Sequence, residues 1–371
     1  MEMQLCEWKN SPKNMNNKLH TICSYMAMFP PSLPYYFIQK YSREGDIVLD
    51  PFAGRGTTPL EACLNNRVGI GVDKNPLAYL LTRSKVNVPK KTKIERRIDE
   101  LEGDYGSKKF SLDDIDWKIK MLYSNYTLKQ LLYLREELEW KKDNADAFIA
   151  AMIVGIMHGK TEGYLSISMP NTFSMSPNYV KRFIKKYKLK KPKRNVFELL
   201  RKKLERCYQK PKIKGKAYCL DARNLSRIND KEIDLVITSP PYTRVITYGK
   251  YNWIRLWFLK EDSLDVEKRL FTTQSLNKYT IFMEDCLNEI KRVTKSGGTI
   301  ILVIGDVLDR DGHFYNLAEM IWEKCAEPLE FLKLHSIISD EINDGSNVSR
   351  IWNDKRIQPK KIDRILVLKN P

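Results

Sequence analysis

The seven cysteines of this 371-residue chain include no CxxC pair and follow no regular spacing. That scatter excludes a disulfide framework and fits reduced thiols. Only four histidines occur, His20, His158, His313 and His335, far apart and without an HExxH step. No metal centre is expected from such spacing. No apolar run approaches the roughly 20 residues that a membrane span needs; the best, 148–157, is about half that. The amino terminus lacks the basic-then-apolar layout of a secretion signal. The expectation is a cytoplasmic protein with no membrane and no metal partner.

Apolar residues make up 42% of the chain, enough for a sizeable core, and the formal charge of +18 points to a polyanionic partner. The charge is not spread evenly. Between Lys181 and Lys216 stand 17 Lys/Arg against two acids, Glu198 and Glu205, a net of +15. A general lysine bias would not concentrate the excess in about a tenth of the length. Within the block, Lys181, Arg182, Lys185, Lys186, Lys193 and Arg194 are the candidate nucleic-acid contacts, suited to phosphates. Tyr179, Phe183 and Tyr187 recur there at helical spacing and either stack on bases or pin the helix to the core.

Apolar strands and helical patterns alternate along the rest. Residues 47–49, 68–72, 217–223, 233–237, 299–304, 331–338 and 365–368 read as strands. Helices are expected at 35–41, 60–64, 248–259, 280–293 and 317–325, with a buried one at 148–157. This order predicts a doubly wound, mostly parallel α/β sheet. Residues 1–88 and 215–371 form the catalytic domain in this reading. Residues 89–214 form a largely helical, basic insertion.

Two loops carry the chemistry. The first runs Asp50-Pro51-Phe52-Ala53-Gly54-Arg55-Gly56-Thr57-Thr58 from a strand into a helix. Its glycines permit positive φ and a close ligand approach, and the helix end offers unpaired N–H groups to an anion. A dinucleotide fingerprint fails because Pro59 stands where its third glycine belongs. A phosphate-binding Walker loop fails because Thr57, not Lys, follows Gly56. Asp73, at the tip of the second strand, suits both hydroxyls of a ribose. The second loop, Thr238-Ser239-Pro240-Pro241-Tyr242, leaves the carboxyl end of a buried strand.

These two loops resemble the motifs of the S-adenosylmethionine-dependent DNA amino-methyltransferases, which modify N4 of cytosine or N6 of adenine. The likeness covers about 30–90 and 215–310. It implies a Rossmann-like class I methyltransferase sheet with S-adenosylmethionine as cofactor and DNA as partner. It implies an enzyme that either stands alone as an orphan modification enzyme or is paired with a cognate restriction endonuclease. It also implies that Pro30 closes over the methionine end of the cofactor and that Asp221 accepts from its adenine amine. By the same likeness Ser239 and the Pro240 carbonyl take the target amine's hydrogens, Pro241 shapes the loop and Tyr242 stacks on the base. A Ser before Pro-Pro-Tyr leans toward N4 of cytosine. The alternatives are adenine N6, an RNA base, or a protein that binds cofactor and nucleic acid without turnover.

Overall fold

The computed structural model describes residues 17–26, 30–108, 110–171, 174–241, 247–308, 314–329, 332–341 and 362–371. Tyr242 lies outside this set.

The apolar runs pair into one seven-stranded sheet. Its members are β1 (Ile47–Asp50), β2 (Val68–Val72), β3 (Lys216–Tyr218), β4 (Ile233–Thr238), β5 (Thr294–Gly305), β8 (Lys333–Glu341) and β9 (Ile362–Lys369). A separate ribbon joins β6 (Val307–Leu308) to β7 (Phe314–Tyr315). The sheet order is β3-β2-β1-β4-β5-β9-β8. All neighbours are parallel up to β5, and β9 runs antiparallel between β5 and β8. The chain therefore steps outward from β1 to β3 and then returns to the other side of β1 as β4. Loops at such a reversal diverge and leave a crevice between them.

Helices of the sheet layers are α1 (Ser32–Tyr41), α2 (Thr57–Leu64), α3 (Pro76–Val86), α13 (Leu276–Val293) and α14 (Leu317–Ile321). Successive strand residues face opposite ways, and both faces here are apolar. Val48, Leu235, Ile237, Ile301 and Val367 pack with Leu33, Phe37 and Ile38 of α1. Leu49, Val236, Ile300, Leu302 and Leu368 pack with Met283, Leu287 and Ile290 of α13. Burial on both sides is why these strands read as unbroken apolar runs.

The insertion supplies α4 (Lys91–Tyr105), α5 (Trp117–Lys120), α6 (Asn125–Glu137), α7 (Asn144–Ile156), α8 (Pro177–Tyr187) and α9 (Val196–Cys207). Asp143 caps α7 by accepting from Ala145 N and Asp146 N, and twelve of its thirteen residues are buried. Gly155 is needed there, since a Cβ would fall 1.9 Å from the Ile22 carbonyl oxygen. The insertion shares its core with the sheet domain. Phe148, Met152 and Leu131 join Leu77, Leu80 and Leu81 of α3 in one cluster.

Three expected elements come out differently. The strand expected over 217–223 ends at Tyr218, because it pairs only with β2 and the chain turns at 221–224. The helix expected over 248–259 divides into α10 (Tyr248–Tyr251) and α11 (Trp253–Phe258), separated by Asn252 at φ −124°. Asn252 bonds backward to the Tyr248 carbonyl and forward to Arg255 Nη1, which holds the break. The helix expected over 317–325 keeps α-helical spacing only to Ile321 and widens into a π-helical turn over Trp322–Ala326. A seven-residue helix, α12 (Ser263–Arg269), also lies between β4 and β5.

Candidate functional site

The site lies where β1 and β4 end side by side. Their register sets Val48 against Leu235 and Leu49 against Val236. The residues that finish the two strands therefore meet: Thr238 Oγ1 donates to Asp50 Oδ1 at 2.6 Å, and both side chains are buried. Phe52 N donates to the same oxygen at 3.1 Å. One hydrogen bond thus joins the glycine loop to the Ser-Pro-Pro loop across 188 residues of chain.

A cavity of about 940 Å³, counted out to its open mouth, sits over this junction. Asp50, Gly54, Asp73, Asp221, Ser239 and Pro241 all line it. Pro51, Phe52, Ala53 and Thr57 contribute to its floor as well. Gly56 and Thr58 are buried behind that lining, and so is Pro240. Pro30 is exposed and lies outside the lining. The two loops picked out in the sequence share one cavity.

The glycine loop is shaped by positive φ at Gly54 (+52°) and Gly56 (+77°). A Cβ on Gly56 would also stand 2.8 Å from Thr82 Oγ1 and 2.9 Å from Thr82 Cα, so α3 presses on the loop from behind. Gly56 is the N-cap of α2 and gives no side-chain cap, which leaves the first-turn N–H groups for an anion. Asp73 braces the loop in front, accepting from Gly54 N at 2.9 Å and Asn75 N at 2.8 Å. The helix-capping role belongs to Asn75, whose side chain accepts from Leu77 N.

The acids are tuned by their surroundings. Burial pushes the Asp50 carboxyl up to about 7, against the hydrogen bonds from Thr238 and Phe52 that favour its ionised form. Burial likewise pushes Asp73 up to about 6, opposed by the Asn75 and Gly54 amides. Asp221 goes the other way. Burial works to raise it, but the Arg223 side chain (3.0 and 2.8 Å) and Lys74 Nζ (2.8 Å) outweigh that and hold it well below the ordinary range.

Several lining residues had no signal in the sequence. Tyr25 stacks on Tyr248 with centroids 5.9 Å apart and planes at 23°, and its hydroxyl accepts from Asn75 Nδ2 at 3.1 Å. The aromatic stretch holding Tyr248 reads in sequence as packing below the loop, whereas Tyr248 itself lines the cavity. Phe271 and Phe282 lie face to face at 3.8 Å, and Arg223 sits over Phe282 at 5.5 Å. Behind the loop, the fully buried Lys85 donates to the Arg55 carbonyl at 2.6 Å. Tyr25 and Tyr248 come from distant segments, and no local spacing announces the contact.

The cavity suits S-adenosylmethionine. Asp50 and Asp73 are carboxylates that could meet a cationic ligand with a ribose diol, the first turn of α2 could take a carboxylate, and Phe52 and Phe282 are apolar walls near Asp221. Away from the cavity, Lys181, Arg182, Lys185, Lys186 and Lys193 are exposed, and Arg194 is partly covered, 4.0 Å from Glu162. Among the described residues no group of three or more His, Cys, Asp or Glu is placed to hold a metal ion. Among them, too, no helix is long and apolar enough to cross a membrane.

Residues 5–83 match the family model described as DNA methylase, of the N6/N4 group. The type II methyltransferase M.BsoBI of Geobacillus stearothermophilus is 23% identical over 327 residues, covering 76% of this chain and 63% of that protein. The type II methyltransferase M.MvaI of Kocuria varians is 24% identical over 272 residues, covering 64% and 57%. The type II methyltransferase M.MjaII of Methanocaldococcus jannaschii is 34% identical over 76 residues, covering 20% and 14%. The chain spans less than two thirds of the length of each of these relatives.

Proposed function

We propose that the chain is a DNA amino-methyltransferase of the N6/N4 group and that it methylates the exocyclic amine of a base flipped out of duplex DNA, N4 of cytosine. The observation that carries this reading is the shared cavity, where the glycine loop and Ser239-Pro240-Pro241 are joined by the Asp50–Thr238 hydrogen bond. S-adenosylmethionine supplies an electrophilic methyl group. The work left to the protein is alignment and the exclusion of water.

The residues divide that work. Asp73 takes the ribose hydroxyls, the first turn of α2 takes the methionine carboxylate, and Asp221 takes the adenine amine. Lys74 and Arg223 keep Asp221 ionised and therefore an acceptor. The target amine is a poor nucleophile because its lone pair is drawn into the ring. The Ser239 hydroxyl and the Pro240 carbonyl accept its hydrogens and turn the lone pair toward the methyl group. Pro241 aims that carbonyl without a competing N–H, and Tyr242 stacks on the base. No covalent intermediate is involved. Tyr25 and Tyr248 form the wall that keeps water from the reacting atoms.

Serine before Pro-Pro-Tyr supports cytosine over adenine. The helical insertion, 89–214, serves as the target-recognition region, and the type II relatives support a cognate restriction endonuclease as partner. Incubation with the cofactor and either duplex DNA or RNA, followed by nucleoside mass spectrometry, tests the reading. N4-methylcytosine in DNA is the expected product. N6-methyladenine or a methylated ribonucleoside would replace it with one of the alternatives.

A further inference from the structure

The basic block divides into two halves that the fold treats differently. On α9 three of the four cations are committed. Arg201 reaches Asp99 and Glu102, each at 2.6 Å, Lys202 pairs with Glu198 at 2.5 Å, and Lys203 Nζ donates to the Thr21 carbonyl at 2.7 Å. On α8 and just after it, among the described residues, none of Lys181, Arg182, Lys185, Lys186 or Lys193 is ion-paired with a carboxylate. Lys181 and Lys185, and likewise Arg182 and Lys186, stand four apart on one helix, where like charges repel. The helix buries only Val180. A face that tolerates such repulsion with so little burial is built for an anionic partner.

Aromatic rings hold these lysines in place. Lys181 Nζ lies 5.3 Å over Trp117, Lys186 Nζ 5.3 Å over Tyr187 and Lys193 Nζ 4.9 Å over Tyr126. The three rings are themselves 45%, 54% and 36% exposed. Tyr179, Phe183 and Tyr187 form a ladder along α8 with centroids 6.0 and 4.5 Å apart. The rings thus carry the ammonium groups on an organised surface, which lowers the entropy lost when the lysines bind.

The segment leading into α8 is bonded to helices next to the cavity. Ser174 N donates to the Tyr251 carbonyl at 2.8 Å, and Trp253 Nε1 donates to the Met175 carbonyl at 2.9 Å. Those bonds tie the segment leading into α8 to α10 and α11, and Tyr248 at the start of α10 lines the cavity. We propose that the α8 face, with Lys193 beside it and Trp117 and Tyr126 beneath, grips the sugar–phosphate backbone of the duplex from which the target base is drawn. It supplies affinity and not sequence choice, since phosphates carry no sequence information. The inference rests on the DNA reading above.

The test compares two variants of the full chain, Lys181→Gln/Lys185→Gln/Lys186→Gln/Lys193→Gln and the control Arg201→Gln/Lys202→Gln. Duplex DNA binding is measured by fluorescence anisotropy from low to moderate salt, together with methyl-transfer kinetics and thermal melting. The quadruple variant should lower the slope of log K against log salt by about 3 and weaken binding about a hundredfold or more at ~0.1 M salt. Its kcat and cofactor affinity should not move, and the control should keep the wild-type slope. Unchanged slope and affinity in a folded quadruple variant, with wild type methylating DNA, would overturn this inference and leave the function standing. Absence of methylated DNA from wild type, with DNA binding still lost in the variant, would overturn the function and leave the surface. Tighter binding of an RNA duplex of the same sequence, lost in the variant, would overturn DNA as the occupant.

Discussion

The cavity at the β1–β4 edge and the face of α8 are both dense in charge and aromatic rings, yet they are built in opposite ways. At the cavity, Asp50 and Thr238 are 2% and 0% exposed and bonded to each other, and Asp73 is held by two backbone amides. On α8 the charged heads stand in solvent above a helix with one buried residue. Reaction geometry tolerates errors of only a fraction of an ångström, so its groups are fixed by buried hydrogen bonds. Phosphate attraction acts over several ångströms and needs no buried hydrogen bond to fix the cation. In the proposed reading, alignment is placed in the core and affinity on the surface.

The largest effect that would sharpen this contrast is at Ser239. Ser239→Ala should lower kcat by about 10²- to 10³-fold, in the range found for a lost transition-state hydrogen-bonding group. Cofactor binding by calorimetry should stay within about twofold. Full activity in that variant would remove the alignment role from the cavity side of the comparison.

A smaller effect is expected at Thr238→Val, which keeps the shape and deletes the donor to Asp50. Loss of a buried partner costs about 1–3 kcal/mol, visible as a lower midpoint in denaturant. If the bond also holds the two loops together, kcat should fall while KM for DNA does not. A variant at α8 should show the reverse split, and equal changes in both parameters at both sites would erase the distinction.

The mildest effect is in pH. In the protein without cofactor, Asp50 titrates at about 7 and Asp73 at about 6, both raised by burial from an ordinary value of 3.8. Below these values each holds its proton, and a cationic ligand favours the ionised form. Affinity for S-adenosylmethionine should accordingly rise between about pH 5.5 and 7.5, with proton release seen as buffer-dependent heat, and level off above. The uncharged-sulfur product, S-adenosylhomocysteine, should change less. For stability the sign is opposite. Raised acids stabilise the ligand-free fold at low pH, and that contribution is lost as pH climbs through the folded values, so cofactor should protect most near pH 7.5. A flat affinity profile would mean that the two acids do not face the cation.

Much of the fold was legible because each signal was local. Val48-Leu49, Leu235 to Ile237 and Ile300 to Val303 are apolar at every position, which marks strands covered on both faces. Gly54 and Gly56 between a strand and a helix announced a loop that needs positive φ. What stayed hidden depended on contacts between distant segments. Tyr25 meets Tyr248 and Lys85 meets the Arg55 carbonyl only once the sheet has formed. The break at Asn252 was illegible for a related reason, since side-chain bonds to Tyr248 and Arg255 override the helical pattern around it.

From the order of its residues alone this chain specified an alternating α/β architecture, two reactive loops and a concentrated block of positive charge. Those are matters of periodicity, residue chemistry and spacing, which survive without coordinates. Folding decided which pieces touch. The reversal of strand order between β1 and β4 brought Asp50 to Thr238 across 188 residues, and helix packing brought Asp99 and Glu102 of α4 to Arg201 of α9. Pairing across such separations follows from strand register and helix packing, which no local stretch of sequence encodes by itself.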